Sequence, residues 1–568
     1  MKWKDAGIFA RLMQTVLKGE DVSSCRCFPG DSCWPTPQDW AIFNSSVGGR
    51  LVATVPLAAP CHHSSFAPYD AAACSRLQEE WTSPHIHYTS SSSVMAPYYA
   101  NASCDPFLSA ESPCVFGTYS RYAVAVHSPA DAIRTIQFAH DRDIRLVIRN
   151  TGHDWSGKST GAGSLAIWTH HLKDINVCDY VSPQYTGKAM KMGAGVQAFE
   201  AYAAAHASNV VVLGGECPTV GLAGGYTQGG GHSALSSRFG LAADQILQWE
   251  VIDGTGRYLI ATRDNDQQDL YWALSGGGGG TYGVVVSMTV KAHPEMHTTG
   301  AKLKFSRQGT SAGRYWQAVE GYHQTLPDIV DAGIVSIAQF DKDSFAINPI
   351  TAPGVTESRV RELLSPLVSK LEALGIGYEL DVRQFPTYFD HVQAMFSPIG
   401  TASFQYGSRL IPRASIAENN SALTQAFVKA AEDGCSFFSV ALNASRPGEE
   451  AFNSVSPVWR STLLHAVIQV AWDPLAPWTA MERRAAMITS EYVREFEAVA
   501  PDGGAYINEA DPRDPNFKQN YYGGNYDLLL RIKDKYDPFQ VFYALTGVGS
   551  HRQYVRPDGR LCSRTQDP

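Results

Sequence analysis

The chain has 568 residues and sets 46 Lys and Arg against 55 Asp and Glu, a net charge of −9. That balance argues against a general polyanion binder, which needs clustered positive charge. With 44% hydrophobic, 11% aromatic and 18% charged residues, it is no disordered, collagenous or coiled-coil chain, and no apolar run reaches the roughly 18 residues of a spanning helix.

Residues 1–115 are irregular and rich in Pro, Ser and Cys, and read as a disulfide-pinned N-terminal extension. The opening MKWKDAGIFARLMQTVLKGEDVSS lacks an uninterrupted apolar centre, so a secretory leader is expected to have been removed or replaced. Seven of the 11 cysteines fall within the first 114 residues, the spacing of a stapled secreted segment. The N-x-[ST] sequons at Asn44, Asn101, Asn419 and Asn443 agree with an extracellular route. The odd cysteine total leaves at least one thiol without an internal disulfide partner. His85 and His87 have no third ligand at motif spacing and read as a polar loop pair rather than a metal site.

Regular structure is expected from about residue 120. Ala123–Val126 reads as a strand, and Ser128-Pro129-Ala130-Asp131 as a capped helix start. Ile133, Ile136 and Ala139 continue that helix, and Ile144–Ile148 resumes extended structure before the loop RNTGHDWSGKSTGAG. A second such unit has a strand near Met190, a helix Gln197–His206, a strand Val210–Leu213 and a glycine-rich loop. From about 300 to 500, helices Gly313–Thr325, Glu357–Leu374 and Trp478–Val499 alternate with strands such as Gly333–Phe340 and Leu463–Trp472, a sheet covered by helices. The tail from 501 returns to Gly, Tyr and Asn, and no fixed-period repeat occurs. The fold class is α+β, with function expected in loops that follow strands.

Several motifs fail. Gly231-His232-Ser233-Ala234-Leu235 lacks the closing glycine of a nucleophile elbow. Asp264-Asn265-Asp266 starts like a calcium loop but has Asp269 where glycine is required. No phosphate-binding G-x-x-x-x-G-K-[ST] is present, and no metal ligand set is expected. What stands out is GGECPTVGLAGGYTQGGGH, residues 214–232, and the five glycines 276–280 before Thr281-Tyr282-Gly283. Glycine-dense backbone can approach a flat or phosphorylated ligand closely and expose its N–H groups. Three glycine-rich turns in one region point to one extended cofactor.

These motifs resemble the flavin-binding fold of the vanillyl-alcohol oxidase superfamily, and more narrowly the secreted fungal oxidases similar to berberine bridge enzyme. The resemblance spans almost the whole chain. It implies a two-part PCMH-type FAD-binding domain over 116–296, a substrate domain with an antiparallel sheet covered by helices over 297–500, and a segment 501–568 that returns to the FAD domain. Arg149-Asn150-Thr151-Gly152-His153-Asp154 resembles the family's pyrophosphate loop, with Thr151-Gly152 where many members carry two glycines. The resemblance implies that His153 bonds the flavin 8α-methyl group and that Cys217, in Cys217-Pro218-Thr219-Val220-Gly221, bonds flavin C6. FAD would then be held by two covalent tethers, which in this family accompany a raised redox potential. Such a cysteine must be free to react as a thiolate. If Cys217 is so committed, ten cysteines remain, enough for five disulfides of open connectivity. Ser159, Gly224, Gly225, Gln228, Gly229, Gly230, Gly231 and His232 are expected along the ring and pyrophosphate. Val284–Val286 would meet the adenine or ribityl side, and Tyr522 and Asn525 match the family's Y-x-G-x-N.

The family often places a tyrosine near flavin N5, and Tyr506 in Tyr506-Ile507-Asn508-Glu509-Ala510-Asp511 matches it, with Glu509 nearby. His465, near where an alkaloid-oxidising relative has a carboxylate, and Gln469, four further on, share one face of a strand; a histidine can act as a base near neutral pH. Val220 resembles the residue of oxygen-reactive members of the family's plant branch, whereas leucine at that position blocks oxygen. The reading is a secreted FAD oxidase, expected to be a monomer, that takes a small-molecule or oligosaccharide alcohol, reduces dioxygen to hydrogen peroxide, and binds neither nucleic acid nor membrane. Oxidation of amines or secondary metabolites is the alternative within enzymes, and a secreted binding glycoprotein with a vestigial flavin site the alternative outside them.

Overall fold

The computed structural model describes residues 25–396, 400–401, 403–445 and 451–564; the expected leader lies outside the described residues. Three sheets organise the chain. The first is built from Leu51–Ala53, Tyr122–Ala125, Leu165–Trp168 and Leu146–Arg149, the last three parallel. The second is an antiparallel five-stranded sheet in the order Ile175–Val181, Thr186–Gly193, Gly283–Lys291, Ile246–Asp253, Tyr258–Thr262. The third has seven antiparallel strands, from Tyr378–Phe385 at one edge to Phe404–Pro412 at the other. The α+β class and the helix-covered antiparallel sheet are thus present.

The helix expected at Ser128 runs Pro129–Asp141, and the Ser128 and Asp131 side chains form the reciprocal cap. The N-terminal extension is more regular than expected. Its strand Leu51–Ala53 extends the first sheet, and Phe43 of its helix Pro37–Ser46 stacks on Phe138 at 4.1 Å. Glu357–Leu374 buries Val360, Leu363, Leu364, Leu367 and Leu371, a spacing that puts all five on one stripe, and Gly375 closes it in a left-handed turn. At about 2 kcal/mol per buried aliphatic side chain, that stripe alone contributes roughly 10 kcal/mol before chain entropy is subtracted.

Expected boundaries move in two places. The helix expected to end at Thr325 continues through Pro327 to Asp331, because Leu326, Ile329 and Val330 are buried and their packing outweighs the one missing N–H. Val210–Leu213 shrinks to a two-residue strand, Val210–Val211. Trp478–Val499 keeps its expected bounds as one helical run, with a wider turn over Ile488–Tyr492.

Four disulfides form, Cys27–Cys33, Cys61–Cys74, Cys104–Cys114 and Cys25–Cys562. Cys178, Cys217 and Cys435 are free, so the five bridges the count permits become four. The last bridge ties residue 25 to the C-terminal hairpin Gln553–Val555/Leu561–Ser563. Among the described residues no helix is long and apolar enough to cross a membrane.

The C-terminal segment returns to the first two sheets. The helix Tyr526–Tyr536 is buried with them, and its Lys533 ammonium donates to the carbonyls of Thr281 at 2.9 Å and Phe542 at 3.0 Å and to Asp537 at 2.8 Å. Residues 505–511 lie against the glycine-rich turn at Gly225 and against the third sheet at His465. The functional cavity opens there.

Candidate active site

A cavity of about 770 Å³ collects all three glycine-rich turns, the segment 506–509 and one face of the seven-stranded sheet. The turns meet closely: a Cβ on Gly279 would stand 3.0 Å from the Gly225 Cα, and one on Gly221 would stand 2.2 Å from the Asn150 side chain. Backbone at these points is bare by steric need, as close approach to a flat ligand requires.

The tether candidates lie side by side. Helix Ala198–Ala207 leaves its first N–H groups unpaired, and Ala198 and Phe199 donate to the carbonyls of Val220 at 3.0 Å and Pro218 at 2.9 Å. The Gln197 amide donates to the Thr219 carbonyl at 2.7 Å. The turn 217–220 is therefore fixed on a helix end. It sets Cys217 Sγ 4.0 Å from His153 Nε2, and Thr219 Oγ1 lies 2.7 Å from that nitrogen and 3.7 Å from the sulfur. Burial, reinforced by the positive charge of Arg149, lowers the His153 pKa to about 3, so its imidazole is neutral. Burial also pushes the Cys217 thiol up, against hydrogen bonds from Thr219 and Val220.

The loop bearing His153 is folded on itself. Asp154 accepts from Ser156 N at 3.0 Å and from Ser159 N and Oγ at 2.6 and 2.9 Å. Arg149 lies behind it, donating to the carbonyls of His87 and Ser90, both at 2.8 Å. Lys158 donates to the Ile507 carbonyl at 2.9 Å, and burial lowers its pKa to about 8.

Of the residues expected at the cofactor, Asn150, Thr151, Gly152, His153, Asp154, Ser159, Cys217, Val220, Gly221, Gly224, Gly225, Gln228 and His232 line the cavity. Arg149, Pro218, Thr219, Gly229, Gly230 and Gly231, also expected there, do not line it. On the strand Gly283–Lys291, Gly283 and Val285 face the cavity, whereas Val284 and Val286 are core residues. Tyr522 donates to the Thr546 carbonyl at 3.0 Å, and the Asn525 amide to the Ser454 carbonyl at 3.2 Å; neither side chain lines the cavity.

At the end of the cavity nearest Cys217 stands a buried acid–base cluster. Glu509 lies between two histidines: its Oε1 is 3.2 Å from His232 Nε2 and its Oε2 2.8 Å from His465 Nε2. Although burial opposes the carboxylate, the two imidazoles hold Glu509 well below the usual range. Burial likewise opposes an imidazolium at His232, but Glu509 and then Glu216 raise it to about 9. His465 is fully buried and shifted down by burial; it touches the cavity only through Glu509.

Glu216, immediately before Cys217, has Oε2 3.7 Å from His232 Nδ1, and burial raises its pKa. Glu216 Oε1 and His232 Nδ1 are buried without a hydrogen-bond partner although both residues line the cavity. Such atoms call for a ligand group. Tyr506 is a neutral phenol, raised far above its usual range by burial; Asn508 donates to its oxygen at 2.7 Å and to the Gly225 carbonyl at 2.8 Å. His232, His465 and Glu509 could also be gathered by a metal ion, but each imidazole Nε2 already engages its own Glu509 oxygen.

The opposite wall differs in kind. Phe396, Phe404 and Phe438 line it, interspersed with the polar Gln339, Ser344, Asn348, Ser436 and Gln469, while the Phe437 ring packs into the helix-covered core against Phe340 and Phe427. Trp155, two residues past His153, stacks on Tyr406 of the seven-stranded sheet at 3.8 Å. Glu216, Lys158, Asn508 and this stack carried no separate signal in the sequence. Elsewhere, His87 is committed to Ser93 at 2.8 Å and the Trp81 carbonyl at 2.7 Å, a structural histidine rather than a loop one.

Residues 120–262 match the family described as "FAD binding domain", and 505–549 match "Berberine and berberine like". The FAD-linked oxidoreductase patO of Penicillium expansum is 48% identical over 548 residues, covering 96% of this chain and 95% of its own. The chain belongs to the berberine-bridge-like, VAO-type FAD-linked oxidoreductases. The VAO-type flavoprotein oxidase VAO615 of Thermothelomyces thermophilus is 41% identical over 95% of this chain and 95% of its own. The crystal structure of the VAO-type flavoprotein MtVAO615 from Myceliophthora thermophila C1 aligns with a TM-score of 0.92 at 40% identity, covering 95% of this chain and all of that one. The protein is thus an enzyme and a flavoprotein. The residues present fit FAD: a bare glycine cradle, adjacent His153 and free Cys217, and unpartnered polar atoms along one cavity.

Proposed function

We propose that this enzyme is a secreted oxidase carrying FAD bonded to His153 and Cys217, which converts a hydroxyl group on a hydrophobic, ring-bearing small molecule to a carbonyl and reduces dioxygen to hydrogen peroxide. The carrying observation is the asymmetry of the cavity. A buried acid–base cluster stands beside the tether pair, and an aromatic wall faces it across the space a substrate would fill. The rings of that wall would desolvate a planar apolar skeleton, and Gln339, Asn348, Ser436 and Gln469 would take hydrogen bonds at its edge. Free Cys217, its neighbour His153 and the naming of VAO615 as an oxidase support the flavin and oxygen parts of the reading. The four disulfides support the secreted route.

Each residue then has a task. The flavin, when bound, accepts a hydride and passes its electrons to dioxygen. The unpartnered Glu216 oxygen takes the hydroxyl proton, and the His232 imidazolium, fixed by Glu509 and by His465 behind it, steadies the developing oxygen charge. Tyr506, whose oxygen already accepts from Asn508, keeps its own O–H to donate. Gln469, bonded to Ser436 at 3.3 Å, orients the far end of the substrate.

The test is peroxide release by the purified protein with naphthylmethyl and cinnamyl alcohols, glucose, cellobiose and benzylamine. Turnover of the aryl alcohols with formation of the aldehyde is expected. Turnover confined to the sugars, or to the amine, overturns the substrate class. Yellow colour lost on acid precipitation overturns the covalent flavin.

A further inference from the structure

The two tether candidates share one neighbour, and that neighbour is a hydroxyl. Thr219 Oγ1 lies 2.7 Å from His153 Nε2 and 3.7 Å from Cys217 Sγ, while the sulfur and nitrogen are 4.0 Å apart. We propose that Thr219 is the positioning residue for covalent attachment, a single hydroxyl that accepts from His153 Nε2–H and donates to Cys217 Sγ, so that both side chains face the cavity as nucleophiles. The proposal rests on the doubly tethered FAD read above.

The direction of the hydrogen bonds decides its use. An imidazole has one N–H and one lone pair. If Nε2 carries the hydrogen and gives it to Thr219, the lone pair is at Nδ1, free to attack. Thr219 then still has its own O–H, and the sulfur is the next acceptor within reach. A hydroxyl donated to a thiolate favours the ionised sulfur, which is the reactive form. That help is needed here, because burial works against ionisation at Cys217.

Thr219 is also held still. Its carbonyl accepts from the Gln197 amide at 2.7 Å, and the flanking carbonyls of Pro218 and Val220 cap the helix Ala198–Ala207. The rotor that remains is the side chain, and its two polar neighbours are the tethers. At His153 a C–N bond forms at the 8α carbon, and the protons of N–H and C–H are released. At Cys217 a C–S bond forms at C6, and the protons of S–H and ring C–H are released. Each bond leaves an electron pair on the ring, which dioxygen removes together with two protons as hydrogen peroxide.

Thr219→Val keeps the shape and deletes the hydroxyl; Thr219→Ser restores the hydroxyl alone. The readout is the mass of the peptides containing residues 153 and 217 after proteolysis of the purified protein, independent of turnover. In wild type both peptides are expected to carry flavin, as one cross-linked species. In Thr219→Val the Cys217 bond is expected to fall at least tenfold in occupancy and the His153 bond to form more slowly, with Thr219→Ser near wild type. Circular dichroism and melting of both variants establish that they fold; if the valine protein does not, Thr219→Ser matched against Thr219→Ala decides in the same way. Full double attachment in a folded variant without the hydroxyl overturns the role of Thr219 alone. Wild type without flavin on Cys217 overturns the doubly tethered reading and this proposal with it.

Discussion

Replacing Glu509 by glutamine removes the charge between two buried histidines and leaves the shape. Glu509 holds the His232 pKa near 9 against an ordinary 6.5, which corresponds to about 3 kcal/mol favouring the folded protein. Because the folded value is the higher one, that stabilisation is complete below pH 6.5 and disappears as the pH climbs through 9. Glu509 itself is depressed, so its own contribution is present above the usual carboxylate range and is lost only in acid. Without Glu509, burial pulls His232 down and only Glu216, 3.7 Å from its other nitrogen, opposes this. His465, Tyr226 and Tyr506 are the remaining titratable neighbours, and none supplies negative charge near neutral pH. Breaking a buried pair from one side costs about 3–5 kcal/mol. Urea unfolding of the flavin-loaded wild type and Glu509→Gln, from pH 5.5 to 9, should therefore show a gap of that size near pH 6 which narrows by about 3 kcal/mol toward pH 9. A gap that is absent at pH 6, or that stays constant with pH, would refute the charged His232–Glu509 pair.

Three further outcomes follow from the same geometry. Val220 lines the cavity next to Cys217, so Val220→Leu should slow reoxidation of the reduced enzyme by dioxygen about tenfold, or about 1.4 kcal/mol of barrier; unchanged stopped-flow traces would discount Val220 as the oxygen gate. Trp155→Ala removes the stack on Tyr406, a pair worth about 0.5–1.5 kcal/mol beyond its buried area. The expected result is a several-fold rise in KM for an aryl alcohol with little change in covalent flavin, measured by steady-state peroxide release. Replacing both Cys25 and Cys562 by serine opens a bridge spanning 537 residues and should lower stability by about 2–5 kcal/mol, read as an earlier melting transition; an unshifted melt would mean that the bridge constrains nothing in the unfolded chain.

Local chemistry made part of this legible in the sequence. Ser128 and Asp131 cap a helix because the partners are three residues apart. The spacing within Cys217–Gly221 is likewise local, and the turn it describes sits at the cavity with the free thiol. His465 and Gln469 do share one strand face, yet Gln469 reaches the cavity and His465 stops behind Glu509, which depth rather than periodicity decides. Glu216 was illegible for a different reason. A carboxylate in a glycine stretch acquires meaning only when His232 and Glu509 are folded against it, and the latter comes from the far end of the chain. The Cys25–Cys562 bridge was equally hidden, since cysteine spacing near residue 25 favours local pairing and only the C-terminal hairpin brings its partner close.

The order in which the cavity is completed has a bearing on how FAD could enter. His153 and Cys217 both lie in the first half of the chain, whereas Tyr506, Asn508 and Glu509 join the same lining much later in sequence. At roughly 5–20 residues per second of synthesis, tens of seconds separate the emergence of the two groups. During that interval both nucleophiles exist in a chain that still lacks Glu509, the Asn508 amide that holds the Gly225 carbonyl, and the Ile507 carbonyl that anchors Lys158. Residues 505–511 thus complete the cradle as well as the acid–base cluster, and a chain stopped before them would offer FAD both tethers without the finished site.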